Sequence, residues 1–99
     1  MRYYFDWDPN KAKANLNKHK ISFEQAASIV IDPLAVTVFD EPHSDGEDRW
    51  ATIGMDSNGA ILVMVHTFQT IEKDAAKIRV ISARKAMRAE TKRYKEKNL

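Results

Sequence analysis

Arg79-Val80-Ile81-Ser82-Ala83-Arg84-Lys85-Ala86-Met87-Arg88 is the segment whose residue types and spacing point most directly to chemistry. It reads as an apolar strand that breaks at a serine and runs into a basic helix. That reading puts Arg79 on the strand and Arg84 in the first helical turn, while Arg49 opens an earlier strand. A guanidinium fork stays charged and matches two phosphate oxygens, so three such side chains on a rigid sheet edge would clamp a phosphate. Chemistry at that phosphate also needs groups that move protons. His19 is flanked by Lys18 and Lys20, whose charges disfavour a cationic imidazole, although a histidine closing a helix is equally consistent with that position. His43 lies in a loop with Asp45 and Glu47, and Glu47 reads either as a base or as a solvating charge. His66 has apolar strand neighbours and reads as a satisfied core or interface histidine. Glu90 shares a helical stripe with Ala83, Ala86, Met87 and Tyr94, so its carboxylate needs a cationic partner, Arg79 or Arg49. The expectation for Glu90 is a structural ion pair. Tyr94 would stack on a base or close the core.

Charge supports an anionic partner at this end of the chain. Lys77 to Leu99 holds nine Lys/Arg against two Glu, and the rest holds seven against twelve Asp/Glu, so +7 and −5 make the total of +2. Concentrated positive charge at a strand–helix junction suits a polyanion such as RNA or an acidic protein. Asp32 to Asp48 carries six acidic residues and no Lys or Arg, so the two stretches could also attract each other within the fold.

Several classes are excluded. The chain has no cysteine, so disulfides, thiolate metal sites and thiol catalysis are absent. Gly46, Gly54 and Gly59 are isolated and make no phosphate-cradling loop. Asp6 and Asp8 lack a nearby His or third acid, and no metal or other cofactor is expected. Met1 to Asp8 has no signal-peptide character, and the apolar run Ala60 to Val65 is too short to cross a bilayer. A cytoplasmic protein without membrane contact is the expectation.

The elements that would position these residues fit one domain of 99 residues. Residues 2–5 suggest a short strand. Asp8-Pro9 starts a surface helix through Lys18, with Asp as cap and Pro at the first helical position. Ser22 and Gln25 have capping-box spacing for a second helix, with Ile21 and Ala26 as its hydrophobic staple. Asp32-Pro33 ends that helix. Strands follow at Leu34 to Phe39, Arg49 to Met55 and, after the Asp56-Ser57-Asn58-Gly59 turn, Ala60 to Phe68. Ile71 to Ala76 reads as a charged loop, Ile78 to Ile81 as the last strand, Ser82 as a cap and Ala83 to about Lys95 as the last helix. The order β-α-α-β-β-β-β-α describes a small α+β domain with a largely antiparallel sheet.

Across this order the chain resembles the BrnT family, the toxin halves of bacterial toxin–antitoxin pairs. The matching residues are Phe5-Asp6-Trp7-Asp8-Pro9-Asn10-Lys11-Ala12 and Asn15-Leu16-Asn17-Lys18-His19-Lys20-Ile21-Ser22-Phe23-Glu24-Gln25-Ala26. His43-Ser44-Asp45-Gly46-Glu47-Asp48-Arg49-Trp50, Gly54, Arg79 to Ala86, Glu90 and Tyr94 complete the set. The stretch Phe68 to Ala76 departs from the pattern, being longer than a tight turn between the last two strands. The resemblance implies a RelE-like fold, a metal-independent endoribonuclease attacking through the RNA 2′-OH, and a cognate BrnA-like antitoxin that binds DNA and neutralises it. It leaves a homodimer and a toxin–antitoxin heterotetramer both open. Under it, Arg49, Arg79 and Arg84 would hold the phosphate, His19 or Glu47 would act as base, and Tyr94 or Lys18 would lie near the base or leaving group. Lys18, Lys85 and Arg88 would bind RNA. The alternative is a non-catalytic module that grips nucleic acid or an acidic partner with its basic C-terminal helix.

Overall fold

Local signals place the first half of the chain. The computed structural model describes residues 1–41 and 46–97. Strand β1 (Arg2–Asp6) leads into helix α1 (Pro9–His19). The Asp8 carboxylate accepts from Asn10 N at 2.8 Å and Pro9 occupies the first turn. Lys20 ends the helix in the left-handed region (φ 60°), its N–H donating to Leu16 O at 2.9 Å. Helix α2 (Phe23–Ala27) is capped by Ser22, whose hydroxyl accepts from Gln25 N at 3.0 Å, and tightens into a 3-10 turn over Ser28–Ile31. The reciprocal half of the expected capping box does not form. Gln25 Nε2 donates instead to Asp56 Oδ2 at 2.8 Å, because a carboxylate makes the stronger, charge-assisted bond.

Strands β2 (Val36–Phe39), β3 (Trp50–Met55) and β4 (Ile61–His66) form an antiparallel meander. Asp56 Oδ1 accepts from Asn58 N and Ala60 N, both at 2.9 Å, and Gly59 supplies the positive φ of the turn. Gly54 brings the 3-10 turn against β3, since a Cβ there would stand 3.0 Å from Ile29 Cβ and 3.2 Å from its carbonyl oxygen.

The second half corrects the sequence reading in two places. The stretch Ile71 to Ala76, expected as a charged loop, instead holds the end of strand β5 (Gln69–Glu72), which turns back onto the next strand, and the start of that strand. The last strand, β6 (Ala75–Lys85), is eleven residues long and runs straight through Ser82, the expected helix cap. Helix α3 accordingly starts at Arg88 and runs to Lys97. The order is β-α-α-β-β-β-β-β-α. β6 pairs in parallel with β1, antiparallel with β4 and β5, and the main path is β1-β6-β4-β3-β2. Among the described residues no helix is long and apolar enough to cross a membrane.

One side chain explains why the strand persists. β1 stops at Asp6, opposite Arg79, and beyond it the outer edge of β6 is met by Asn15 of α1. Asn15 Nδ2 donates to Ala83 O at 2.8 Å and to Ile21 O at 3.0 Å, and Ala83 N donates to Asn15 Oδ1 at 3.1 Å. The buried amide stands in for a neighbouring strand. Ala83 therefore joins the core of Ile21, Phe23, Ala26, Ile29, Leu62, Met64 and Val80 that lies under α1 and α2. A smaller cluster of Ile53, Val63 and Tyr94 seats α3 on the opposite face.

Asn15→Ala would leave buried backbone groups at Ala83 and Ile21 without these partners. We expect a loss of about 3 kcal/mol and a fall in Tm on the order of 15 °C, read by thermal unfolding. A shift of only a degree or two would show that water or a neighbouring group replaces the amide.

Candidate active site

Alternation along β3, β4 and β6 divides the side chains between two faces. Leu62, Met64 and Ala83 point to the core under α1 and α2, whereas Val63 and Arg84, which pair across the sheet, point to the other side. On that side, beside α3, the sheet carries a cavity of about 410 Å³. Its lining includes Arg49, Arg84, Asp40, Ser82 and Glu90 over a floor of Ala51, Val63 and Val65. Arg49 precedes β3 and Asp40 follows β2, and Asp40 N donates to Arg49 O at 2.8 Å, which fixes the two backbones together at the mouth.

Arg84 is the best-positioned cation. Its Nη1 and Nη2 donate to Glu90 Oε1 and Oε2 at 2.6 and 2.7 Å, a fork-on-fork pair. Glu90 Oε1 also accepts from Met87 N at 2.8 Å and so caps the first turn of α3. The Arg84 bonds, with the Met87 N–H, hold the Glu90 carboxyl below the usual carboxylate range despite its partial burial. Glu90 is thus in an ion pair, as expected, but with Arg84 rather than Arg79 or Arg49. Arg84 lies on a strand rather than in a helical turn, because β6 continues to Lys85.

A register shift between Val65 and His66 leaves Ile81 as an extra residue of β6, so Arg79, five residues before Arg84, projects from the same face, but it stands outside the cavity lining. It is 3.6 Å from Asp6 Oδ1, a carboxylate it shares with Lys77 at 3.2 Å. Lys85 is exposed and, by strand alternation, faces away from Arg84. Arg88 opens α3 and lines a shallow groove with Thr91, Lys92 and Lys95 along that helix. Lys18 and His19 close α1, and neither lines the arginine cavity. Glu47 is exposed and also stands outside it. His43 lies outside the described residues.

Of its two expected readings, Tyr94 takes the one that closes the core rather than the one that stacks on a base. It is 5% exposed, and its hydroxyl donates to Asp32 Oδ2 at 2.7 Å. Burial and the Asp32 carboxylate push its pKa up to about 12. A neutral, buried phenol of this kind closes the core under α3 and is no proton acceptor near neutral pH. Burial by itself would raise the Asp32 carboxyl, but hydrogen bonds from Met55 N, Tyr94 and Leu34 N outweigh it and hold the group below its ordinary value. His66 is the satisfied core histidine expected, with Nδ1 2.9 Å from Thr67 O and Nε2 2.7 Å from Thr52 Oγ1.

Asp40 and Ser82 are the cavity residues that the sequence reading missed. Ser82 reads in the sequence as a helix cap. Asp40 offered no signal beyond sitting at the end of a strand in an acidic run. Among the described residues no three His, Asp or Glu side chains come close enough to hold a metal ion together.

The family model described as the ribonuclease toxin BrnT of type II toxin–antitoxin systems matches residues 7–90. A solved structure, the 1.1 Å crystal structure of the Brucella abortus ribonuclease toxin BrnT, has the same fold with a TM-score of 0.60 at 21% identity, covering 89% of this chain and 100% of that one. No curated protein sequence matches the chain. With the family model spanning most of the sequence and the expected α+β architecture in place, the chain belongs to the BrnT family of ribonuclease toxins of type II toxin–antitoxin systems.

Proposed function

We propose that this toxin cuts RNA in the arginine cavity without a metal, by attack of a 2′-OH on the adjacent phosphate. The observation that carries the reading is Arg84, held by Glu90 on a rigid strand, in one cavity with Arg49. Two guanidinium groups there would neutralise charge as it builds on the phosphorane, and a donor fixed in advance costs no reorganisation during reaction. The 2′-oxygen bonds to phosphorus, the bond to the 5′-oxygen breaks, and the products carry a 2′,3′-cyclic phosphate and a 5′-hydroxyl. Asp40, the other carboxylate among the described lining residues, takes the 2′-OH proton, and the leaving 5′-oxygen is protonated from solvent. His19 and Glu47 stand outside this lining, so the proposal gives the proton transfer to Asp40. Arg79 and Lys77 extend positive charge along β6, and Arg88 and Lys95, with Lys92 paired to Glu96 at 3.7 Å, extend it along α3, as a track for the RNA backbone. Lys18 and Lys85 lie off this track.

Membership of a type II family implies a cognate antitoxin as well as an RNA substrate. The assembly the two proteins form, whether it contains one toxin or two, belongs with the proposal.

The test is cleavage of RNA by the purified protein in excess EDTA, with product ends identified. Cutting should persist and leave 2′,3′-cyclic phosphates. Arg49→Ala and Arg84→Ala should each lower the rate by about a hundredfold or more, and Arg79→Ala by about tenfold or less. Dependence on added metal, or equal rates in wild type and both cavity variants, would contradict the reading. RNA that binds without being cut would favour the non-catalytic module.

Glu90 is a positioning residue in this account. Glu90→Gln should lower kcat by about tenfold with little change in KM, because it loosens a transition-state contact. The variant also tests pH linkage. A carboxylate with a depressed folded-state pKa stabilises the fold fully above its unfolded value, here 4.5, and loses that contribution as pH falls through the folded value. Wild type should therefore lose stability below about pH 4.5, and Glu90→Gln should lack that part of the loss. Identical acid unfolding profiles would show that the pair contributes nothing to the fold.

A further inference from the structure

The face of the sheet opposite the arginine cavity is only partly covered. α1 and α2 pack over its Leu62, Met64 and Ala83 end. At the other end, around Trp50 and His66, lies a second and larger cavity of about 500 Å³. Tyr3, Trp50 and Phe68 give it aromatic walls, and Ala35 and Ile78 add apolar surface. Tyr3 and Phe68 are 38% and 43% exposed, and Ile31 and Leu34, on either side of the lining residue Asp32, are 81% and 48% exposed. An apolar, aromatic-walled cavity with exposed apolar side chains nearby marks a place where something docks.

A directional chain of hydrogen bonds forms its polar part. The Thr67 carbonyl can only accept, so His66 Nδ1, 2.9 Å away, carries a hydrogen. Burial keeps this imidazole neutral, which makes Nε2 an acceptor and the Thr52 hydroxyl, at 2.7 Å, its donor. With its single hydrogen used, Thr52 Oγ1 accepts from Thr37 Oγ1 at 2.9 Å. Every hydrogen in the chain points inward. Thr37, on the exposed side, has only lone pairs left, so a group entering the pocket has to bring the donor.

Charge decides between kinds of partner. The lining contains the Asp32 carboxylate and no Lys or Arg, whereas on the other face Arg49 and Arg84 offset Asp40 and Glu90 in the cavity and Arg88, Lys92 and Lys95 add positive charge along α3. A phosphate-bearing strand is favoured on the arginine face and disfavoured here. A protein segment that is apolar at its anchor and positive beside it complements this surface.

We propose that this pocket is a docking site for the cognate antitoxin, receiving a tryptophan or tyrosine whose N–H or O–H donates to Thr37 and whose neighbouring Lys or Arg faces Asp32. The inference rests on the toxin–antitoxin reading and adds where the partner binds and by what chemistry. Because antitoxin anchor and RNA phosphate occupy opposite faces, binding of the two is separable by mutation.

The experiment measures, for the full chain, the affinity for the antitoxin encoded beside it and the rate of RNA cleavage. Three variants are compared with wild type. Ala35→Phe fills the pocket, Phe68→Ser removes a wall, and Thr37→Val removes the acceptor at nearly constant volume. Ala35→Phe and Phe68→Ser should weaken antitoxin binding by at least about tenfold and Thr37→Val by about fivefold, with cleavage within about twofold of wild type. Unchanged antitoxin affinity in the variants would overturn the proposal. Lost RNA cleavage with intact antitoxin binding would also overturn it, by assigning the pocket to a base of the substrate. If Ala35→Phe fails to fold, the near-isosteric Thr37→Val and the surface change Phe68→Ser decide the matter. A wild type that binds antitoxin through this pocket yet cuts no RNA would refute the cleavage reading alone.

Discussion

Where β1 stops at Asp6, the outer edge of β6 would turn toward α1 with unpaired backbone groups, and the Asn15 amide meets them. A buried N–H or C=O without a partner costs about 1–3 kcal/mol, so this side chain on one edge, with the β4 ladder over Ser82 to Lys85 on the other, holds the segment after Val80 as a strand. As a strand, it alternates. Ala83 goes into the core and Arg84 goes through to the opposite face, where Glu90 receives it. A helix starting at Ala83 would have removed the buried edge residue and displaced the guanidinium from the cavity. The same amide bonds Ile21 O, so it also ties the α1–α2 connection to the sheet.

From that alternation come two faces with different chemistry. One carries Arg49 and Arg84 with Asp40 and Glu90 in its cavity, beside a basic helix that supplies the surplus positive charge a phosphodiester needs. The other is apolar and aromatic, with a neutral histidine and a fixed carboxylate. The overall charge of +2 describes neither face. Tyr94 and Asp32 join the two sides, since the phenol that seats α3 on the arginine face donates to the carboxylate that lines the apolar pocket. A partner bound at Asp32 therefore touches the support of α3. That helix also carries Glu90.

How much of this could be read from the sequence follows the range of each interaction. Asp8, Pro9 and Ser22 act within one helical turn, and the structure places them as their types suggest. The Asp56 to Gly59 turn and the buried β4 are equally local. The extent of β6 depends on Asn15, 68 residues away from Ala83, and no window of sequence contains both. β5 escaped because all four of its residues are exposed, which leaves no alternation to detect. For Glu90, the need for a cation was visible from its apolar stripe, yet naming Arg84 required knowing that the helix begins at Arg88. The arginines were legible as candidates by type, and the family resemblance ordered them. Asp40, whose backbone N–H bonds the Arg49 carbonyl, is not.

The most direct test of the central claim is a crystal structure of the protein with a short RNA whose 2′-oxygens are methylated, so that it binds without being cut. The account predicts a phosphate seated between Arg49 and Arg84, with the 2′-oxygen on its 5′ side turned toward Asp40. RNA running over the His66 pocket, or along α3 with the arginine cavity empty, would contradict it.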